Sequence, residues 1–270
     1  MEERHKAIGL LDSGVGGLTL VKELNRHLPN ENIVYFGDTA RMPYGPRQPE
    51  QVRDFVIEII DFLAATQDLK MMIIACNTAT AIGLKDYQAK FPFPVLGVLE
   101  PGARAALAKS KSKRIGIIGT DGTIASKAYP HTITSIEPGA LVFDKACPLF
   151  VLLVENQLEN TPEAYKVAQS YMEPLQNQDI DTLILGCTHY PLLEHVLAKV
   201  MGDQVALVNS ALSTALSAKQ MLLDKGLLNH GDRGWQRFFV SGDPMNFEVI
   251  GKRLLGYGIK AYRVLLGGDI

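Results

Sequence analysis

The chain has few cysteines, no long apolar run and almost no excess of charge. Three cysteines in 270 residues are too few for a disulfide framework, which indicates a reduced, cytoplasmic protein. No stretch of roughly 18 apolar residues occurs, so we expect no membrane span, and the charged start of the chain is unlike a secretory signal. Lys and Arg total 27 against 29 Asp and Glu, which excludes a large basic surface for nucleic acid.

Short apolar runs alternate regularly with helix-like segments along the chain. A hydrophobic content of 47% argues against disorder, and this alternation is typical of an α/β protein with parallel sheets. The predicted strands are Ala7–Leu11, Ile33–Phe36, Met71–Ile74, Val95–Val98, Arg114–Ile118, Leu141–Phe143, Thr182–Leu185 and Val205–Val208.

The eight runs form two sets with nearly the same spacing. Starting from Ile8 the steps are 25, 39 and 23 residues, and starting from Ile115 they are 26, 41 and 23. The second set is therefore the first displaced by 107 to 110 positions. The repeat predicts two pseudo-symmetric open parallel-sheet domains with a ligand site in the cleft between them.

The C-terminal segment has no counterpart in the repeat. It carries helix patterns at 214–223 and 246–255 and a strand-like run at 238–240. We expect it to return to the first half. The predicted domains are therefore residues 1–99 plus 210–270, and residues 100–209. Hinges are expected near Glu100-Pro101 and Asn209-Ser210.

A cysteine follows the third strand of each set, Cys76 in the first and Cys187 in the second, 111 positions apart. Ligands of open α/β sheets bind beyond the carboxyl ends of the strands, so both thiols would face one cleft. A free cysteine is usually a small buried apolar residue, but equivalent placement in two halves favours a reactive pair. Such a pair can move a proton from one face of a carbon to the other. Cys147 lacks this context and is interpreted as structural.

Polar residues close to the two cysteines are candidates for assisting roles. Each thiol should lie near the start of a helix, which lowers a thiol pKa. His189 could exchange a proton with Cys187. Glu155, at the end of an apolar run, could orient His189 or could simply lie at an exposed helix end. Hydrogen bonds to a ligand carboxylate could come from Asn77, Thr78 and Thr188.

Two loops are candidates for a ligand wall. The turn at 12–17 offers backbone N–H groups near a helix start, but it is not GxGxxG, and Asp12 would repel phosphate. Asp12 and Ser13 beside such groups suit a small zwitterion; the alternative is an ordinary βα turn in which one of them caps the helix. The loop at 37–46 holds two prolines and two glycines; Tyr44 and the Gly45 N–H could contact a ligand, or the loop could be structural.

No metal and no cofactor are expected. A zinc site made of Cys76, Cys187 and His189 is conceivable, but no CxxC or histidine-rich spacing supports it. A CxxC redox motif is also missing, and no lysine stands in a recognisable pyridoxal phosphate context.

Taken together, four motifs resemble those of the glutamate racemases, within the cofactor-independent aspartate/glutamate racemase family. The similarity runs from about Ala7 to about Gly268. The motifs are Asp12-Ser13-Gly-x-Gly-Gly-Leu-Thr19, Gly37-Asp38-Thr-x-Arg-x-Pro-Tyr44-Gly45, Ala75-Cys76-Asn77-Thr78-Ala79 and Gly186-Cys187-Thr188-His189-Tyr190-Pro191.

The resemblance implies a two-base 1,1-proton transfer on glutamate, with Cys76 and Cys187 as the acid/base thiols. It also implies a homodimer that supplies D-glutamate for peptidoglycan in a bacterial cytoplasm. One departure is Asn209, where the family usually has aspartate near a hinge. The resemblance assigns assisting roles to Asp12, Glu155 and His189, and substrate contacts to Asp12, Ser13, Tyr44, Gly45, Asn77, Thr78, Thr188 and His189, with Thr120 and Thr123 as further candidates.

Three alternatives to this interpretation stay open. An aspartate racemase would share the thiol pair. A thiol-dependent redox or binding protein would need the two cysteines to meet. A sugar- or nucleotide-binding module is the third, and the missing phosphate fingerprint counts against it.

Overall fold

The computed structural model of the chain describes residues 2–267, so Met1 and residues 268–270 of the predicted first domain lie outside the described residues. Within that range the strands are β1 Ala7–Asp12, β2 Ile33–Gly37, β3 Leu69–Ile74, β4 Val95–Gly97, β5 Arg114–Gly119, β6 Leu141–Ala146, β7 Thr182–Gly186, β8 Ala206–Asn209, β9 Gln236–Val240 and β10 Ala261–Arg263.

Helices connect most of these strands. Short 3-10 helices form at Glu3–His5 and Tyr190–Leu193. The α-helices are α1 Leu18–His27, α2 Pro49–Thr66, α3 Asn77–Lys90, α4 Leu99–Lys109, α5 Asp121–Ala125, α6 Ala128–Ile136, α7 Leu149–Glu155, α8 Pro162–Gln176, α9 Glu194–Met201, α10 Ser210–Asp224 and α11 Pro244–Leu255.

The strands form two parallel sheets with the same central order. The first sheet is β10-β9-β2-β1-β3-β4 and the second is β6-β5-β7-β8. Each repeat unit thus places its second, first, third and fourth strand side by side, which confirms the pseudo-symmetric fold predicted from the spacing. The eight predicted strands all form, and β6 extends three residues beyond its predicted end.

The C-terminal segment returns to the first sheet, because β9 pairs with β2 in parallel and β10 pairs with β9. Helices α10 and α11 match the predicted helical patterns, whereas the three-residue β10 carried no recognisable signal. The domain boundaries at 99/100 and 209/210 stay a prediction.

Each sheet is buried on both faces, which explains why its central strands are continuous apolar runs. Every residue of β1, β2, β3 and β7 is buried. The first half of the molecule consists of the first sheet between α1, α10 and α11 on one face and α2 and α3 on the other. The second half consists of the second sheet with α7, α8 and α9 on one face and α4 and α6 on the other.

The register of the strands brings their carboxyl ends level within each sheet. Asp12 pairs with Gly37 and Leu11 with Ile74 in the first sheet, and Gly119 pairs with Gly186 in the second. The loops that leave these ends therefore begin side by side. Among the described residues, no helix combines the length and the apolar character needed to cross a membrane.

Candidate active site

A pocket of about 350 Å³ lies between the two halves, at the carboxyl ends of both sheets. The lining residues come from the loops after β1, β2, β3, β5 and β7, from the first turn of α3 and from α7. They are Ser13, Met42, Pro43, Tyr44, Gly45, Cys76, Asn77, Thr78, Thr120, Val151, Cys187, Thr188 and His189.

Cys76 enters the pocket as the N-cap residue of α3. Its Sγ lies 3.8 Å from the hydroxyl of Ser13. Burial raises the pKa of the Cys76 thiol to about 12, and the negative charge of Asp12 adds to this effect. The helix N-terminus, through the Ala79 N–H, and the Ser13 hydroxyl act in the opposite direction but do not compensate. The expected lowering of this thiol pKa is therefore wrong, because burial outweighs the helix.

Cys187 follows β7 but does not begin an α-helix. The helix that starts near this thiol, as expected, is the 3-10 helix at Tyr190–Leu193, with His189 as its N-cap, and α9 follows from Glu194. A histidine side chain also contacts this thiol: His189 Nδ1 lies 3.8 Å from Cys187 Sγ. His189 Nε2 in turn lies 2.5 Å from Glu155 Oε1. Glu155 is the last residue of α7, so these three side chains form a chain of polar contacts.

His189 is held as a cation by this arrangement. Burial on its own would lower its pKa, because a desolvated imidazolium is unfavourable. Hydrogen bonds to Cys187 and Glu155, together with their negative charges, outweigh burial and raise the pKa of His189 well above its ordinary value. The imidazole can therefore carry a proton at neutral pH and hold it beside Cys187.

Asp12 lies behind the pocket rather than in its wall. Its carboxylate accepts hydrogen bonds from the N–H groups of Gly14, at 3.2 Å, and Gly17, at 3.0 Å, and from the Thr188 hydroxyl across the cleft at 3.2 Å. Burial raises the pKa of Asp12, although the charge of His189 and these hydrogen bonds oppose the shift. The anion held by the turn at 12–17 is thus Asp12 itself.

The alternative role of this turn as a helix cap does not hold. The N-cap of α1 is Gly17, and it makes no side-chain capping bond. A contact between Asp12 and the substrate stays a prediction.

Tyr44 and Gly45 form a wall that is fixed from outside the pocket. The Tyr44 hydroxyl donates to the carboxylate of Asp38, which also accepts two bonds from Arg41 Nε, at 3.0 and 2.8 Å. The carbonyl of Gly45 accepts a hydrogen bond from the Gly122 N–H of the second half at 3.0 Å. Because its hydroxyl donates to Asp38, Tyr44 presents its ring and main chain to the pocket.

Thr78 connects the two halves through hydroxyl groups. Its Oγ1 lies 2.8 Å from Thr120 Oγ1 and 3.2 Å from Thr123 Oγ1. Thr120 lines the pocket, whereas Thr123 supports it from behind.

Nearly all the residues predicted from the sequence meet at this pocket. Asp12 and Glu155 form a layer behind it. Three lining residues were missed: Met42, Pro43 and Val151. Val151 lies four residues before Glu155 on α7, so helical spacing from that glutamate could have identified it. Across residues 2–267, no group of three or more His, Cys, Asp or Glu side chains is arranged to hold a metal ion.

Comparison with known proteins yields consistent matches over most of the chain. The family model described as Asp/Glu/Hydantoin racemase matches residues 8–218. A glutamate racemase of Exiguobacterium sibiricum is 46% identical over 266 residues, which is 98% of each chain.

Solved structures agree with these sequence matches. A glutamate racemase isoform from Bacillus anthracis matches with a TM-score of 0.94 and 45% identity, over 97% of this chain and 98% of that one. The glutamate racemase of Francisella tularensis, solved in complex with D-glutamate, matches with a TM-score of 0.90 and 34% identity, over 98% and 99%. With a repeated fold, two thiols in one cleft and matches of this coverage, the chain belongs to the Asp/Glu/hydantoin racemase family.

Proposed function

We propose that the chain interconverts L- and D-glutamate by a two-base 1,1-proton transfer between Cys76 and Cys187. The observation that carries this proposal is that both cysteines line one pocket from equivalent strand ends of two matched sheets. The family membership and the glutamate racemases among the relatives supply the substrate.

The proposed step transfers one proton in and one proton out. A thiolate on one side removes the α-hydrogen as a proton, and the C–H electron pair stays on the α-carbon. The thiol on the opposite side then gives its proton to the other face of that carbon. The stereocentre is inverted, the two sulfurs have exchanged protonation states, and the reverse reaction begins from that state.

The two sides of the pocket are chemically unequal in this proposal. Cys76, with a pKa of about 12, is the neutral thiol before substrate binds. On the other side, the protonated ring of His189 lies beside Cys187, where its charge favours the thiolate, and the carboxylate of Glu155 holds the ring in place. Two thiols that share a site titrate as a coupled pair, and a negative charge on Cys187 raises the pKa of Cys76 further.

The α-carbanion needs strong electrostatic stabilisation, which we assign to donors around the substrate carboxylate. Thr78 and Thr188 are buried or nearly buried hydrogen-bonding groups in the lining that can supply these donors, and Asn77 in the same lining is assigned to holding the amino acid throughout the reaction. Donors fixed in place within a cleft that excludes water stabilise developing charge more strongly than water does. We assign the remaining substrate contacts to Ser13, Tyr44, Gly45, His189 and Asp12.

The biological role in this proposal is the supply of D-glutamate for peptidoglycan synthesis in a bacterial cytoplasm. The working form would be a homodimer, with domains of residues 1–99 plus 210–270 and of residues 100–209. Growth of a D-glutamate auxotroph carrying this chain tests the role, and light scattering of the purified protein tests the dimer.

The catalytic proposal is tested by following ellipticity from pure L- and pure D-glutamate, and from both enantiomers of aspartate. Cys76→Ala and Cys187→Ala should each abolish racemisation. Cys147→Ala is the matched control, because Cys147 is buried outside the pocket, and it should retain activity. Near wild-type racemisation by Cys76→Ala would refute the mechanism, and faster turnover of aspartate would favour the alternative substrate.

Isotope exchange separates the two half-reactions. In deuterated water, a single Cys→Ser variant should exchange the α-hydrogen of one enantiomer only. Mass spectrometry without reductant tests the alternative of a thiol-dependent redox protein. A Cys76–Cys187 disulfide in the active protein would support that alternative instead of racemisation.

A further inference from the structure

The amide of Asn77 has one end bonded and one end free. Its Oδ1 accepts a hydrogen bond from the Tyr129 hydroxyl at 2.8 Å. Its Nδ2 is buried and has no hydrogen-bond partner among the described residues. Since Asn77 lines the pocket, the free end is a donor available to a ligand there.

The tyrosine determines which end of the amide is free. A buried hydroxyl needs an acceptor for its proton, and the Oδ1 of Asn77 is the acceptor within reach of Tyr129. Turning the amide over would place its NH₂ group against that hydroxyl and would leave Oδ1 as the free end. The hydroxyl proton would then lose its acceptor, so the bond selects the orientation in which Nδ2 is free.

Tyr129 is itself closely held. It lies on α6 in the second half and is 1% exposed. Its ring lies against two glycines: an added Cβ at Gly186 would lie 3.3 Å from Tyr129 Cε2, and one at Gly102 would lie 3.2 Å from the hydroxyl oxygen. Gly186 directly precedes Cys187 in the chain. The hydroxyl therefore has little freedom to move away from Asn77.

We propose that Tyr129 is a positioning residue for the substrate: it fixes the Asn77 amide so that Nδ2 donates a hydrogen bond to a carboxylate of the bound amino acid. This inference rests on the proposed function. A carboxylate offers only acceptors, so the orientation with Nδ2 free attracts it and the reverse orientation repels it.

The same bond makes binding depend on both halves of the molecule. Asn77 begins α3 in the first half, and Tyr129 belongs to the second. The Asn77 donor is therefore oriented only when the two halves sit as they do here. Thr78, the next residue, makes its hydroxyl contacts to the second half as well.

The test is a double-mutant cycle on Tyr129→Phe and Asn77→Ala, with steady-state kinetics on both glutamate enantiomers. Tyr129→Phe removes one oxygen and keeps the ring, so we expect KM to rise about 10-fold for each enantiomer with kcat changed less than about twofold. In the Asn77→Ala background, Tyr129→Phe should change KM less than about twofold, because the amide that it orients is gone.

Tyr87→Phe is the matched control. Tyr87 is also fully buried, on the same helix as Asn77, and its hydroxyl has no hydrogen-bond partner in residues 2–267. It should keep wild-type kinetics. If Tyr129→Phe alone fails to fold, the double variant Tyr129→Phe/Asn77→Ala can still be measured, because it has no Asn77 side-chain carbonyl left buried without a hydrogen-bond donor. Its KM should then equal that of Asn77→Ala.

The inference is overturned if Tyr129→Phe keeps a wild-type KM, or if its effect is as large in the Asn77→Ala background as alone. The second result would show that Tyr129 acts by packing. Failure of the proposed function gives a different result, because the wild-type chain itself would then not racemise glutamate.

Discussion

His189 Nε2 lies 2.5 Å from Glu155 Oε1, a contact that joins the end of α7 to the loop after β7. It turns Nδ1 of the same ring toward Cys187 Sγ. The opposite thiol has no equivalent, since Cys76 faces the Ser13 hydroxyl, with the buried carboxyl of Asp12 as a neighbouring charge. Two halves with the same backbone plan therefore present unequal chemistry to one pocket.

Glu155→Gln should slow racemisation more in the half-reaction that uses Cys187 than in the other. The amide cannot balance an imidazolium, so proton exchange between His189 and Cys187 weakens, and we expect kcat/KM to fall on the order of 100-fold. Exchange of the α-hydrogen in deuterated water, measured from each enantiomer, checks the asymmetry. Glu173→Gln is the control, because Glu173 is exposed on α8. Equal slowing of both exchanges would contradict this assignment.

The raised pKa of His189 predicts how stability depends on pH. A histidine whose pKa is raised by folding contributes stability that is complete below its ordinary pKa and is lost as pH rises through the folded value. The free energy of unfolding should therefore differ most between wild type and His189→Gln below about pH 6, by about 1.5–3 kcal/mol, and the difference should shrink at higher pH.

Urea titrations at several pH values measure this difference. His195→Gln is the control, because His195 is exposed on α9, and its effect should be small throughout. A gap between wild type and His189→Gln that widens with pH would show that His189 is not held as a cation.

Cys76 should resist alkylation at neutral pH. A thiol with a pKa of about 12 is almost entirely protonated there, so its reaction with iodoacetamide should accelerate about tenfold per pH unit from pH 7 to 9. Peptide mass spectrometry on Cys187→Ala follows this labelling, with Cys147 as an internal buried control. Asp12→Asn should accelerate it, because the Asp12 charge contributes to the raised pKa. A plateau below pH 9 would refute the high pKa.

The sequence predicts the repeated fold well because strand spacing and burial on both faces leave a strong pattern. Cys76 and Cys187 could be placed in one pocket because parallel strands end at one edge of a sheet. The Asp12 carboxylate, by contrast, was expected to face a ligand. It accepts hydrogen bonds from N–H groups of its own turn, which the order of residues does not reveal, and its contact with the substrate stays a prediction.

The features of the site that the sequence does not predict all depend on contacts between segments that are distant in the chain. From the sequence, Glu155 could either orient His189 or lie at an exposed helix end. Only the packing of α7 beside the loop after β7, which brings Glu155 to His189, decides between these interpretations. The pKa of Cys76 has the same origin: the helix start is visible in the sequence, but the degree of burial that outweighs it is not. The Tyr129–Asn77 bond joins residues 52 positions apart, and no motif contains both.

Asn209 should be able to replace the family's usual aspartate without a loss of stability. Its Oδ1 accepts a hydrogen bond from the Ala211 N–H at 2.9 Å and caps α10. Asparagine and aspartate are equally good caps, whereas alanine costs about 1 kcal/mol. Urea unfolding should thus show a loss for Asn209→Ala and none for Asn209→Asp, and kcat/KM of Asn209→Asp should stay within about twofold of wild type. An activity change in Asn209→Asp would mean that the carboxylate matters at this hinge.

Arg253 on α11 should stabilise the loop that follows Glu155. Its Nη1 lies 2.8 Å from Oε1 of Glu159, whose side chain is 7% exposed against 38% for the arginine. Arg253→Met leaves a buried carboxylate without its partner and should cost about 1–3 kcal/mol in urea unfolding. Adding Glu159→Gln should recover part of that loss, since it removes the unpaired charge.

The exposed pair of Arg104 and Glu100 on α4, with both side chains more than 60% exposed, provides the control for this prediction. Arg104→Met should change the free energy of unfolding by less than about 1 kcal/mol, because solvent screens the pair. If Arg253→Met were equally neutral, the pair with Glu159 would be no more than a surface contact. If Arg253→Met also lowered kcat and the double variant restored it, the contact would hold Glu155 in place beside His189, because Glu159 is only four positions after Glu155.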